Sequence, residues 1–104
     1  MQEFKTIYHI LKALLLAMET GGLDKDRISS DTLNVSENKR RELIILLAEE
    51  GYIKGLLHKR YIDGGVAYQD DDIKITLKGI EYLEDNSMMK KAANSAKGVI
   101  DMVL

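Results

Sequence analysis

The sequence predicts an α+β, mainly helical fold laid out as a winged helix-turn-helix, and three observations carry that expectation. A helix opening after Ser36 ends at Gly51 and passes directly into a strand beginning at Tyr52-Ile53. Asp63-Gly64-Gly65 then supplies a reversal between two strand-like stretches, the pattern of a β-hairpin. Ile75-Thr76 finally leads from the second stretch into another helix. Helix, hairpin and helix in that order describe a scaffold that usually binds nucleic acid and also serves in protein interaction.

Composition bounds the rest. A chain of 104 residues, 45% hydrophobic and 31% charged, is expected to form one core and to bury about two thirds of its unfolded surface. We divide it into a winged-helix domain, residues 1–87, and a C-terminal accessory helix, residues 88–104, packing on the domain or on a dimer partner. Zero cysteines exclude a disulfide framework and a thiolate metal site. The apolar run Ala13 to Met18 falls far short of the roughly 20 residues a spanning helix needs, and Glu3 and Lys12 spoil a secretory signal. A soluble, unprocessed, cytoplasmic protein with no membrane role is expected. The net charge of −2 means that any contact with nucleic acid must rest on local charge.

Each element has its own signal. Phe4, Ile7, Tyr8, Leu11, Leu14, Leu15 and Met18 recur at helical spacing and predict a helix from about Gln2 to Thr20, stopped by Gly21-Gly22. Ile10, Leu16 and Ala17 widen its apolar surface, so something must cover a second side. Arg27-Ile28 is read as a short first strand, and Ser29 or Ser30 as N-cap of a brief helix through Asp31, Thr32 and Leu33. Asn34 suits the left-handed residue that ends it. Ser36 caps the next helix, Glu37 to Glu50. Unrolled around Leu43, this helix turns Leu43, Leu46, Leu47 and the stems of Lys39 and Arg40 inward. Glu37, Asn38, Arg41, Glu42, Ile45, Ala48 and Glu49 then face outward. Tyr52, Ile53, Leu56 and Leu57 begin a strand, and Val66 and Tyr68 its partner. Asp70-Asp71-Asp72 is read as a solvated bend, after which Ile73 and Ile75 resume a strand and Thr76 leads into a helix through Leu83. Asn86-Ser87 separates it from a last amphipathic helix, Met88 to Val103.

These residues also resemble a known family. Glu49-Glu50-Gly51-Tyr52-Ile53-Lys54-Gly55-Leu56, Ile75-Thr76-Leu77-Lys78-Gly79-Ile80-Glu81-Tyr82-Leu83 and Asn86-Ser87-Met88-Met89-Lys90-Lys91 look like the YjcQ family, small winged-helix proteins of Gram-positive bacteria and their phages or prophages. The resemblance covers nearly the whole chain and implies a fold and a mobile-element origin. It implies no activity and carries over no site residue.

Side chains therefore decide the chemistry. His9 and His58 have no carboxylate or second histidine at ligand spacing. Asp24 and Asp26 lack the glycine and closing glutamate of a calcium loop, and neither Gly21-Gly22 nor Gly64-Gly65 has the context of a phosphate loop. No nucleophile and base are paired. An enzyme, a metal site and a cofactor are not expected.

Two binding readings remain. In the first, Asn38 and Arg41 reach base edges of double-stranded DNA from the first turns of the capped helix, Lys39 and Arg40 contact phosphates, and Lys54, Lys59 and Arg60, with His58, give the hairpin a basic side. From Ser36 to Tyr61, six lysines or arginines outnumber four glutamates. Glu37 and Glu42 oppose this charge, so weak or partner-assisted binding by a transcriptional regulator is expected. In the second reading the scaffold is a protein-protein adaptor without nucleic acid. Ile45 on the outward face, and Met89, Ala92, Ala96, Val99 and Val103 along the seam of the last helix, would then meet a protein partner or a second copy in a homodimer. Only three lysines and no aromatic residue on that helix argue against a membrane surface.

Overall fold

The computed structural model describes residues 2–95, with side chains from residue 3 to residue 86. The elements follow as α1 (Gln2–Thr20), a 3-10 turn (Lys25–Ile28), α2 (Ser30–Leu33), α3 (Glu37–Glu49), β1 (Ile53–Lys54), β2 (Leu57–Arg60), β3 (Val66–Gln69), β4 (Lys74–Ile75) and α4 (Leu77–Ser95). This is the expected α+β, winged-helix layout, with β2 and β3 as the wing.

The first helix is the spine of the core. Ile10, Leu11 and Leu14 are fully buried among Ile28, Leu33, Ile44, Leu47, Ile53, Ile73, Ile75 and Leu83. Each fully buried aliphatic side chain contributes about 1.5–3 kcal/mol. β4 and α4 also pack on α1, with Ile80 and Tyr82 on the same cluster, while Leu16 and Ala17 stay half-buried along a cleft bordered by Thr20, Asp24 and Arg27. The helix stops where expected: the Gly21 amide bonds back to the Ala17 carbonyl at 2.9 Å, and Thr20 Oγ1 donates to the Leu16 carbonyl at 3.2 Å.

The caps follow side-chain chemistry. Ser29 Oγ accepts from the Thr32 amide at 3.1 Å and Ser36 Oγ from the Lys39 amide at 3.0 Å, while Asn34 takes the left-handed conformation, φ 58°. Arg27-Ile28 departs from expectation. It lies in the 3-10 turn because Asp24 Oδ1 accepts from the Asp26 amide at 3.1 Å and starts a turn, with no strand alongside to pair with.

The burial of α3 is also turned from expectation by about one position. Arg40, Leu43, Ile44 and Leu47 face the core, Ile45 and Ala48 are half-buried, and Leu46, expected inward, is 51% exposed. Five successive apolar residues from Leu43 to Leu47 leave the choice of face to the rest of the fold.

The hairpin is built in two antiparallel steps. Ile53 pairs with Ile75 and Lys54 with Lys74 at the base; Leu57 pairs with Gln69, His58 with Tyr68, Lys59 with Ala67 and Arg60 with Val66 in the wing. Gly55, at φ +89°, breaks the strand between the steps, and a Cβ there would collide with the Asp72 carbonyl.

Beyond the hairpin, the residues that carry the family resemblance clasp the C-terminus of α3. Thr76 Oγ1 donates to the Gly51 carbonyl at 2.6 Å and accepts from the Gly79 amide at 3.1 Å, and Lys78 Nζ donates to the Glu50 carbonyl at 2.7 Å. Lys78 also sits 4.9 Å from the Tyr52 ring centroid, and Tyr52 meets Tyr82 edge-on at 5.3 Å. These groups answer the unpaired carbonyls that end a helix. The break expected at Asn86-Ser87 is absent. Asn86 Nδ2 donates one turn back to the Tyr82 carbonyl at 2.8 Å, and α4 runs on to Ser95.

Candidate functional site

Helix α3 and the wing meet through Arg41 and Tyr68. The Arg41 guanidinium lies 4.7 Å from the Tyr68 ring centroid, a cation–π distance, and its Nε donates to Glu37 Oε2 at 3.0 Å. Tyr68 pairs across the wing with His58, their rings 6.4 Å apart. Alternation along a strand puts Arg60 on the same face as His58 and Lys59 on the opposite one. Asn38, Arg41, Lys59 and Arg60 are all exposed, and of these Arg41 makes the contact with the wing.

The other expected contacts are distributed differently. Lys39 is exposed, but its Nζ donates to Glu3 Oε2 at 2.9 Å. That hydrogen bond, with the Lys39 charge behind it, holds the Glu3 carboxyl below its usual range. Lys54 lies at the base of the hairpin, directly opposite Lys74, away from the Arg41–Tyr68 junction. Arg40 is withdrawn from the surface altogether. Its side chain is 7% exposed, its Nε donates to the Ile28 carbonyl at 2.6 Å, and its Nη2 donates to Asp70 Oδ2 at 2.8 Å. A phosphate cannot reach a guanidinium so enclosed.

Asp70 thus corrects the reading of Asp70-Asp71-Asp72 as a solvated bend. Its side chain is 6% exposed and accepts from Arg40, from Lys25 Nζ at 2.9 Å and from the Tyr68 hydroxyl at 2.9 Å. Burial works to raise its pKa, but the hydrogen bonds from Lys25 and Tyr68 and the charge of Arg40 outweigh it and hold Asp70 below the ordinary carboxylate value. Tyr68 is pushed well up, first by burial and then by the carboxylate beside its hydroxyl. Lys25 is raised by its bonds to Asp71 and Asp70, and Asp71 is lowered by the same Lys25. Only Asp72 of the three stays exposed without a role in this network.

The network ties the 3-10 turn, α3 and the β3–β4 link together beneath the helix–wing junction. Sequence reading already turned the Arg40 stem inward; its missing partner is two residues beyond Tyr68, on the strand face that looks toward α3. A cleft of about 410 Å³, bordered by Lys25, Ser29, Glu37, Arg41 and Asp71, opens over it. Its three cations face four carboxylates, with Glu37 shared by Arg40 and Arg41, so the cleft offers no surplus positive charge to an anionic ligand.

Among the described residues no group of three histidine, cysteine or acidic side chains could hold a metal ion, and no helix is long and apolar enough to cross a membrane. Ile45 is half-buried beside exposed Leu46. Of the expected seam, Met89 and Ala92 fall on α4 but their side chains, like all of Ala96, Val99 and Val103, lie outside the described residues. Compared with known proteins, residues 8–102 match the family model described as YjcQ protein. Neither a curated protein nor a solved structure matches the chain.

Proposed function

The chain belongs to the YjcQ family, and from that premise we propose that it is a non-enzymatic, prophage-type regulator that binds duplex DNA through the first turns of α3 and the wing. The observation that carries this reading is the Arg41 guanidinium over Tyr68, which makes the exposed helix face and the wing one surface. Asn38 and Arg41 supply side chains that pair with adenine and guanine edges. Lys59 and Arg60 supply phosphate contacts, and Lys39 joins them by exchanging Glu3, since an exposed ion pair is worth at most about 1 kcal/mol. Arg40 belongs to the scaffold and takes no part. Glu42 and Glu49 on the outward face oppose phosphate approach, which keeps a single copy weak and favours assembly on a twofold site.

Retention of duplex DNA by the purified protein, titrated with salt, tests this. Three phosphate contacts give a log–log slope of about −3, or roughly a forty-fold loss between about 50 and 200 mM salt. Arg41→Glu should abolish binding; unchanged binding by that variant would sink the docking model. A second reading, an adaptor that binds protein through α3, draws on Leu46, half exposed beside Ile45. It predicts no duplex binding at any salt and loss of a captured partner with Ile45→Asp.

A further inference from the structure

The tip of the wing presents apolar side chains that nothing among the described residues covers. Ile62 is fully exposed, and Tyr61 and Val66 are exposed at the same end of the ribbon. The turn that carries them is held in shape: the Tyr61 amide donates to the Gly65 carbonyl at 2.8 Å, the Gly64 amide to the Tyr61 carbonyl at 3.0 Å, and the Gly65 amide to Asp63 Oδ1 at 2.9 Å. A braced loop with an aliphatic apex is a wedge. An exposed aliphatic side chain needs no special account by itself, but here it is flanked by positive charge on both sides of the ribbon. Lys59 lies on one face and Arg60 on the other; Asp63, turned to the Gly65 amide, only partly offsets them.

We infer that the wing tip inserts Ile62, backed by Tyr61, between base steps of duplex DNA from the minor groove, kinking the duplex next to the α3 contact. The minor groove is a slot about 6 Å wide with an anionic wall on each side. A tip that is apolar at its apex and cationic on opposite faces matches that slot, whereas a lipid surface or a protein groove presents no pair of facing phosphate walls. Apolar wedges of this kind unstack flexible pyrimidine–purine steps, TA above all. Tyr68, two residues along the same strand from Val66, already ties the wing to Arg41, so insertion at the tip and reading by α3 fall on one duplex. The inference rests on the DNA-binding reading above.

Wild-type protein is mixed with A·T-rich duplexes containing a central TA step beside 2-aminopurine, with donor and acceptor dyes at the two ends. Fluorescence of the base analogue should rise on binding and the ends should draw together. Ile62→Ser, at a solvent-exposed tip, should keep the salt slope, lose both signals and lose about tenfold in affinity, the worth of leaving one aliphatic side chain in water. Ile62→Phe should retain the unstacking. Binding without unstacking, or unstacking that survives Ile62→Ser, overturns the wedge and leaves the helix–wing reading standing. No duplex binding by the wild type, or a preference for anionic phosphatidylglycerol vesicles over duplex, overturns both.

Discussion

Among the described residues, Asp70→Ala should be a severely damaging polar substitution. It removes the carboxylate that faces Arg40 Nη2 at 2.8 Å, with both side chains under a tenth exposed. The guanidinium is then left buried, with the Ile28 carbonyl and with Glu37 Oε2 at 3.3 Å, a carboxylate itself half exposed. Orphaning one member of a buried pair costs about 3–5 kcal/mol. Lys25 loses little, because it is half exposed and keeps Asp71 at 2.7 Å. The loss is a large share of the about 5–15 kcal/mol that holds a domain together, and at about 4 °C per kcal/mol it lowers Tm by about 12–20 °C. Urea denaturation of the wild type, Arg40→Met, Asp70→Leu and the double variant measures it as a cycle. The double variant, with no charge left stranded, should be more stable than either single one. The pH dependence has a definite sign. Asp70 is depressed in the folded state, so its contribution is fully present above its unfolded pKa of about 3.9 and is lost as pH falls through the lower folded value. Wild type and Asp70→Ala should therefore differ by the full amount near neutrality and converge only in acid below about pH 4. A loss under about 1 kcal/mol, or single losses that simply add in the double variant, would refute the reasoning.

Two further substitutions test the clasp that follows the hairpin. Thr76→Val keeps shape but removes the hydroxyl that donates to the Gly51 carbonyl and accepts from the Gly79 amide, so the midpoint in urea should drop by the equivalent of about 1–3 kcal/mol; an unchanged midpoint would show those bonds to be replaced by water. Gly79→Ala should destabilise although alanine is the better helix former by about 1 kcal/mol. Its Cβ would meet the Tyr52 carbonyl and Ile75 Cγ1, and overpacking of that kind costs about 1–3 kcal/mol; a higher Tm for this variant would contradict the close approach.

What could be read from sequence was what side chains do to their own neighbours. Ser29, Asn34 and Ser36 act on backbone groups within a few residues, so the boundaries of α2 and α3 follow from local chemistry. The misreadings share the opposite property. Asp70 and Arg40 are thirty residues apart, and a run of three aspartates has the composition of a solvated bend until a strand carries its first member under α3. Leu46 and Ile44 are indistinguishable within an unbroken apolar run, and only packing into the shared core selects between them. The same blindness affected the candidate site. Helical geometry already separated the inward Arg40 stem from outward Arg41, but Arg40 was grouped with Lys39 as a phosphate contact because its distant carboxylate partner is invisible in local sequence.

That division also separates structural charge from surface charge. Arg40, Asp70 and Lys25 engage one another, and Lys78 engages the end of α3, so these four side chains hold the fold and are not offered to a ligand. Polar contacts, rather than apolar burial, set the angle between those two elements: β2 and β3 bury no side chain fully, and their link to α3 runs through Tyr68, Asp70, Arg40 and Arg41. Stability and geometry are therefore separable in this molecule. An apolar Arg40→Met, Asp70→Leu pair can keep the core intact while releasing the wing from α3, and duplex binding that fell in such a variant with little change in Tm would identify the buried pair as the element that orients the surface.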